Sequence, residues 1–375
     1  MIGINAILLS PYSGGISTYI SNLISQLEKI DSTKEKISIF LSKDQYQRYR
    51  NSFNFKLIQT PFSSKNPFQR VIWENICWNK IFKKNTIKLF HSPISYLPHN
   101  ISIDSIVTIH DLRVFKYPET YYYPRGLFLK KAIKHTIFQS AKIIAVSNFT
   151  KDEILNRFKI PEEKIAVIYE GIDRERFSLP PKPEDIETIR KYGIQNNYIF
   201  TVGHLEPRKN FIRLIQAFEK LIQSYKEPLQ LVIGGKENYH YSQIYQYVKE
   251  KNLQNKVILA GFIDPLDLPI LYGNAIVFVL PSIYEGFGFP PLESIAAGGP
   301  VTVSRTCSLP EILDKSATYF DPFAVDDIAE KLRELLVNPV LRSDLLKEGD
   351  KILNKFSWIK CAQKTYQLYC NVLNN

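Results

Sequence analysis

The chain has 375 residues, 45% of them hydrophobic, with 48 Lys and Arg against 37 Asp and Glu and a formal net charge of +11. That length exceeds what one hydrophobic core normally organises, so two domains of ordinary size are expected. No apolar stretch reaches the roughly 20 residues that span a bilayer, and Met1–Leu9 reads straight into a buried strand without a basic leader, so neither a membrane span nor a signal peptide is expected.

Short apolar runs alternate with longer periodic segments from end to end, the pattern of parallel sheets covered by helices on both faces. Strands are predicted at Ile2–Leu9, Ile37–Leu41, Lys88–Phe90, Ser105–Ile109 and Lys142–Val146, and in the second half at Tyr198–Val202, Gln230–Ile233, Val257–Leu259, Ala275–Leu280 and Val301–Val303. The predicted fold class is α/β, with two doubly wound, Rossmann-like domains in series. The run Leu179-Pro180-Pro181-Lys182-Pro183 and the charged stretch after it mark a linker over 176–195, leaving an N-terminal domain at 1–175 and a C-terminal one at 196–356.

Charge is divided unevenly between the halves. Residues 1–170 hold 24 Lys and Arg against 13 Asp and Glu, which is the entire excess, while residues 171–375 hold 24 of each. A basic surface attracts nucleic acid, an anionic membrane or a phosphorylated substrate, and charge alone does not choose among them. The four cysteines, Cys77, Cys307, Cys361 and Cys370, have neither metal-ligand nor redox spacing, so buried thiols in a reducing, cytoplasmic setting are expected.

Four segments carry candidate chemistry. After the first strand, Ser10-Pro11-Tyr12-Ser13-Gly14-Gly15-Ile16-Ser17 opens a helix and sets Gly14 and Gly15 where a ligand can touch backbone, although such turns are often only tight connections. Ile109-His110-Asp111-Leu112-Arg113 puts His110 at a strand's carboxyl end, where open α/β sheets place ligands, although a single histidine is more often structural. Val202-Gly203-His204-Leu205-Glu206-Pro207-Arg208-Lys209-Asn210 combines a strand end, a glycine, two cations and a helix start. That set suits a diphosphate, because fixed positive charge neutralises a leaving group without a metal.

The fourth segment is Tyr284-Glu285-Gly286-Phe287-Gly288-Phe289-Pro290-Pro291-Leu292-Glu293, fed by an apolar strand through Pro281-Ser282 and followed by a helix from Leu292. Glycines let backbone approach a ligand, and amides at a helix start favour a phosphate. Glu285 and Glu293 at the rim would accept hydrogen bonds from hydroxyls, which sugars carry. Alone, each glutamate reads as a helix cap or a solvated loop residue.

Together, this E-x7-E run and the Gly298-Gly299-Pro300-Val301 behind it resemble the signature of retaining glycosyltransferases of family four, of the type that assembles bacterial glycans. The resemblance implies the GT-B architecture, two Rossmann-like domains facing across a cleft, with the C-terminal helix 357–375 returning to pack on the first. It implies transfer of a hexose from a nucleotide sugar, of the UDP-glucose or GDP-mannose class, to a glycan or lipid-linked saccharide in polysaccharide biosynthesis. No cofactor is implied, and no metal is expected, since no Asp-x-Asp pair or histidine cluster sits near the phosphate elements.

In that reading the catalytic residues are Glu285, His110 and Lys209. The donor is bound by Gly14, Gly15, Gly203, His204, Arg208, Lys209, Glu285, Gly286, Phe287, Gly288 and Glu293. Glu293 takes ribose hydroxyls; Glu285 and the amides of Gly286 to Gly288 orient the sugar; Lys209 and Arg208 stabilise the departing diphosphate; His110 faces the transferred sugar. Two positions depart from the family pattern: many relatives carry arginine where His204 stands and asparagine where Glu170 stands. Ala145–Thr150 and Tyr169–Asp173 match landmarks read as scaffold or hinge, and Asp111 and Arg113 are weaker candidates beside His110.

The lysines Lys80, Lys83, Lys84, Lys88, Lys130, Lys131 and Lys134 and the tyrosines Tyr121-Tyr122-Tyr123 remain to be placed. Lysines at such spacing usually form a solvated helix face, yet Trp73, Ile76, Cys77 and Ile81 lie beside them, a combination that suits an anionic membrane. Peripheral association with the inner face of a membrane is therefore expected. Three rivals stand further back. A nucleotide-sugar epimerase would share the architecture; an oxidoreductase would need a G-x-G-x-x-G loop that neither glycine turn supplies; a nucleic-acid-binding protein would explain the charge but lacks a recognition motif. The base, the sugar and the acceptor stay open.

Overall fold

The computed structural model describes residues 1–10, 14–30, 33, 35–63, 67–121, 123–178, 182–236 and 242–374, apart from the side chains of 67–69 and 123. Pro11 to Ser13, Tyr122 and Leu179 to Pro181, all singled out above, lie outside the described residues. The chain divides into two compact units, Met1–Gly171 with Phe356–Asn375, and Ile172–Lys355.

Among the described residues the first unit holds seven strands: β1 (Ile2–Asn5), β2 (Ile37–Leu41), β3 (Lys56–Gln59), β4 (Leu89–Ser92), β5 (Asp104–Ile109), β6 (Lys142–Ala145) and β7 (Ile165–Val167). All neighbours pair in parallel, in the order β3-β2-β1-β4-β5-β6-β7. The second unit holds β8 (Asn197–Val202), β9 (Leu229–Gly234), β10 (Val257–Gly261), β11 (Val277–Leu280), β12 (Val301–Ser304) and β13 (Ala317–Phe320). These are also parallel, in the order β10-β9-β8-β11-β12-β13. Strand order reverses between β1 and β4 and again between β8 and β11. At such a reversal the loops beyond the strand ends part and leave a crevice that can hold a ligand.

Three strands escape sequence reading: β3, β7 and β13. Each is the outermost strand of its sheet and only partly buried. An inner strand covered on both faces must be apolar throughout, as ISIFL in β2 and VFVL in β11 are, whereas an edge strand such as KLIQ in β3 faces water and loses that signal.

Amphipathic helices cover the sheets. Phe211–Ser224 turns Leu214, Ile215, Phe218 and Leu221 inward and packs against Val325–Val337 in the core of the second unit. Residues 182–195, within the expected linker, are folded into that unit: helix Asp185–Lys191 is followed by Tyr192, whose hydroxyl donates to Asp267 at 2.6 Å. The final helix, Trp358–Asn374, belongs to the first unit and packs on helix Gly15–Leu27. Its entry is tight. A Cβ at Gly171 would lie 2.2 Å from the Trp358 amide nitrogen, so only glycine fits there.

A buried polar chain ties this helix to the sheet. Tyr369 Oη lies 2.6 Å from His91 Nδ1, His91 Nε2 lies 2.9 Å from Thr108 Oγ1, and Thr108 Oγ1 lies 3.1 Å from Tyr19 Oη. Burial, with the nearby His110, holds His91 down at about 3, so its ring is neutral and offers one donor and one acceptor. Of the four cysteines expected to be buried, Cys361 is; the other three are half-exposed. Among the described residues no helix is long and apolar enough to cross a membrane.

Candidate active site

The second unit builds its site at the β8/β11 reversal. Beyond β8, Gly203 donates its amide to the Gly234 carbonyl at 2.9 Å, and a Cβ there would stand 3.0 Å from Lys209 Cε. The missing side chain lets the lysine stem cross the loop. Lys209 closes a single 3-10 turn, Pro207–Lys209, which passes through Asn210 at φ 59° into helix Phe211–Ser224. Beyond β11, the Ile283 amide donates to the Arg208 carbonyl at 2.8 Å and Arg208 Nη1 donates to the Tyr284 carbonyl at 2.9 Å. The loops from the two sides of the reversal are thereby stitched together.

This stitching brings charges into contact. Lys209 Nζ lies 2.6 Å from Glu285 Oε1, Arg208 Nη1 lies 3.2 Å from Glu285 Oε2, and Arg208 Nε lies 2.5 Å from Glu206 Oε1. All four side chains are buried or nearly so. Burial pushes the Glu285 carboxyl up, but Lys209 and Arg208 outweigh it and hold the group at about 2. Burial also pulls Lys209 below its ordinary range, only partly countered by Glu285. Ser308, buried, donates its hydroxyl to the carbonyls of Glu285 and Phe287, both at 3.0 Å, and so fixes the loop's backbone.

Glu293 sits in a different environment. It lies on helix Phe289–Ala296 and accepts from the Tyr272 hydroxyl at 2.9 Å. Burial raises its carboxyl, while Tyr272 and Arg176 counter the rise. The helix starts at Phe289, three residues before the predicted Leu292, because Pro290 and Pro291 carry a φ suited to a first turn. Prolines have no N–H, so this helix start has fewer amides to offer a phosphate than the sequence argument assumed. Gly286, Phe287 and Gly288 are buried beneath the turn, Gly288 with φ 104°. His204 is exposed, and its carbonyl accepts from the Glu206 amide at 2.8 Å.

In the first unit, Gly14 and Gly15 are exposed at the start of helix Gly15–Leu27, and a Cβ at Gly14 would meet nothing within 4 Å. Packing inside the protein does not require glycine at 14. Ser17 Oγ accepts from the Ser10 amide at 2.8 Å and donates to its carbonyl at 2.7 Å, closing the loop base. His110 follows β5 with both ring nitrogens engaged: Nε2 at 3.0 Å from the Pro93 carbonyl and Nδ1 at 3.0 Å from Glu170 Oε1. A carbonyl can only accept, so Nε2 carries a hydrogen. Burial alone would lower the imidazole, but the Glu170 carboxylate raises it above its ordinary value. Arg113 Nε donates to Tyr121 Oη at 2.9 Å. Ser147, in the Ala145–Thr150 landmark, caps helix Asn148–Phe158.

Sequence reasoning missed Glu170 as the partner of His110, Tyr272 as the donor to Glu293, and Ser308 as the brace of the 285–287 loop. Nothing local marks Tyr272 or Ser308, which reach the site only through the sheet. Glu170 had one signal, its departure from the asparagine expected there.

Two family profiles match the chain, "Glycosyltransferase Family 4" over residues 13–176 and "Glycosyl transferases group 1" over residues 184–352. The chain is a family-four glycosyltransferase. It is 29% identical to the O-antigen chain mannosyltransferase B of Escherichia coli, over 75% of this chain and 74% of that protein. It is 30% identical to the O-antigen chain mannosyltransferase RfbU of Salmonella typhimurium, over 58% of this chain and 56% of that protein, so it spans less than two thirds of that relative's length. Sucrose-phosphate synthase from Thermosynechococcus elongatus superimposes with a TM-score of 0.77 at 20% identity, covering 100% of this chain and 99% of that one. Anabaena Alr3699/HepE in complex with UDP-glucose gives 0.75 at 15% identity, covering 99% of each. These likenesses show a GT-B type of fold. In this glycosyltransferase the two acids of the E-x7-E run differ: Glu285 is a cation-bound carboxylate held low, Glu293 a hydroxyl-bound one held high.

Proposed function

We propose that this glycosyltransferase transfers a hexose from a nucleotide sugar to a saccharide acceptor in polysaccharide biosynthesis, with retention of anomeric configuration and without a metal ion. The observation that carries the reading is the Lys209–Glu285–Arg208 cluster at the β8/β11 reversal. Breaking the bond between the sugar's anomeric carbon and the diphosphate leaves charge on the diphosphate, and stabilising that charge is the largest task of such a site. Lys209 and Arg208 supply two cations where a metal ion would otherwise serve. The acceptor hydroxyl forms the new bond to the anomeric carbon and gives its proton to the departing diphosphate oxygen. Glu285 and the backbone of Gly286 to Gly288 orient the sugar, and Glu293 accepts from the ribose hydroxyls.

His110 is read as a positioning residue of the first unit rather than a proton carrier, since Pro93 and Glu170 already occupy its nitrogens. Gly14 and Gly15 leave backbone of the first unit open to a ligand, and in the second unit His204 adds one hydrogen bond at most. The mannosyltransferases among the relatives favour GDP-mannose as the first donor to test, and HepE's bound UDP-glucose favours UDP-glucose as the second. Incubation with each nucleotide sugar and analysis of the released nucleotide and the glycan product tests the reading; a chain that consumes and binds neither class sinks it.

The acceptor is proposed to be presented at an anionic membrane surface. Ile72, Trp73 and Ile76 are 45%, 45% and 56% exposed on helix Pro67–Lys84, and Leu127 and Phe128 are 44% and 37% exposed on helix Tyr123–Gln139. Both helices hold the 97–99 segment, where the Leu97 amide donates to Thr136 Oγ1 and the His99 amide to Asn75 Oδ1. Lys80, Lys83, Lys84, Lys130, Lys131 and Lys134 lie on the same two helices. Each cation near an anionic leaflet is worth about 1 kcal/mol. Sedimentation with vesicles should depend on anionic lipid and fade with salt; equal binding to neutral vesicles contradicts this part of the reading.

A further inference from the structure

The cations assigned to the diphosphate are neutralised by the protein's own acids. Each oxygen of Glu285 meets one of them, Oε1 with Lys209 at 2.6 Å and Oε2 with Arg208 at 3.2 Å, and Glu206 Oε1 forms an ion pair with Arg208 Nε at 2.5 Å. Two cations face two carboxylates, so the cluster carries no net charge to spend on an anion. Lys209 has its side chain only 8% exposed, and its stem lies on Gly203. It cannot simply swing to a second partner while keeping the first.

The two acids are not equally able to leave. Glu206 lies two residues from Arg208 at the mouth of the same 3-10 turn and is 6% exposed. Glu285 stands on the opposite loop, whose backbone is held independently of its carboxylate: the Ser308 hydroxyl donates to the Glu285 and Phe287 carbonyls, the Ile283 amide donates to the Arg208 carbonyl, and Ser282 stands beside the carboxylate as a second hydroxyl. We propose that Glu285 is an internal competitor of the donor's diphosphate: it holds Lys209 and Arg208 until the diphosphate displaces it, and the displaced carboxylate turns to the donor sugar's hydroxyls.

This rests on the donor-binding reading above and adds a coupling to it. Nothing covalent changes. The carboxylate leaves one hydrogen bond, from Lys209, and one ion-pair contact, with Arg208; diphosphate oxygens take both cations, and the freed carboxylate accepts from hydroxyls. A complete nucleotide sugar supplies both halves of the exchange, whereas a nucleoside diphosphate must displace Glu285 and gives it no hydroxyl in return. The spent nucleotide is therefore held less tightly than its phosphate contacts alone would allow, which favours its release after transfer.

Calorimetric titration of the full chain with UDP and GDP, and with uridine and guanosine, tests the exchange. E285Q keeps the side chain's shape and removes the competing charge. It should bind whichever nucleoside diphosphate the wild type binds about tenfold tighter, the scale set by one charge-assisted hydrogen bond that no longer has to be broken. It should leave nucleoside binding unchanged and lose sugar transfer. K209M/E285Q should show no such gain. A structure of the wild type with the nucleotide, independent of any variant's folding, should show Lys209 Nζ separated from Glu285 by more than 4 Å, the limit of an ion-pair contact. Equal or weaker binding by E285Q, or a complex in which the Lys209–Glu285 contact persists, overturns the exchange and leaves the donor-binding reading standing. Failure of both proteins to bind either nucleotide overturns that reading and the exchange with it.

Discussion

Replacing Lys209 by methionine keeps most of the side chain's volume and removes its charge, leaving Glu285 with Arg208 as its remaining contact cation. The carboxyl is held at about 2 against an ordinary 4.5. Taken at about 1.4 kcal/mol per unit, the net shift, the cations against burial, gives this group roughly 3 kcal/mol of stability at neutral pH. The folded value is depressed, so this stability is present above pH 4.5 and is lost as pH falls through the folded value near 2. In Lys209→Met much of it disappears at pH 7, where burial acts on a half-compensated charge, although the buried ammonium's own desolvation is relieved. For a unit of this size the loss corresponds to a melting temperature lower by roughly 6–12 °C. Melting curves by circular dichroism between pH 7 and 2 provide the assay. The wild type should lose its advantage over Lys209→Met as the pH approaches 2, and K209M/E285Q should recover most of the loss at pH 7. Identical melting curves for wild type and Lys209→Met across that range would refute the electrostatic account of the cluster.

Gly171→Ala drives a methyl against the start of the final helix, so unfolding in urea should show destabilisation of more than about 2 kcal/mol, with the C-terminal helix exchanging its amides first. Glu170→Gln removes the carboxylate that raises His110, so the imidazole should titrate at lower pH by NMR; an unmoved titration would mean that the Nδ1 contact is not charged. Trp73→Ser/Ile76→Ser should weaken binding to anionic vesicles at least tenfold while leaving the melting temperature within about 2 °C, because both side chains are half-exposed and carry little of the fold. Transfer activity should survive excess chelator, and a strict requirement for added divalent ion would contradict the role given to Lys209 and Arg208.

How much of this was legible depends on where each signal resides. Inner strands such as VFVL at 277–280 announce themselves because both faces are covered, and the site loops sit directly behind them. The glycines and charges of 203–209 and 285–293 are likewise local, so their placement at strand ends follows from sequence. What sequence could not supply is partnership across the sheet: Ser308 bracing Glu285, Tyr272 donating to Glu293 and Glu170 engaging His110 join residues 23, 21 and 60 positions apart. The start of helix Phe289–Ala296 departs from the expected Leu292 for a local reason, since Pro290 and Pro291 form the first turn of the helix.

Whether Lys209 and its neighbours grip a nucleotide's diphosphate is read from nucleotide-induced stabilisation. At a concentration about 100 times its dissociation constant, a nucleotide that binds only the folded protein adds roughly 2.7 kcal/mol. GDP or UDP should raise the melting temperature of the wild type by several degrees and leave Lys209→Met unmoved. Equal stabilisation of both proteins, or of neither, would contradict it.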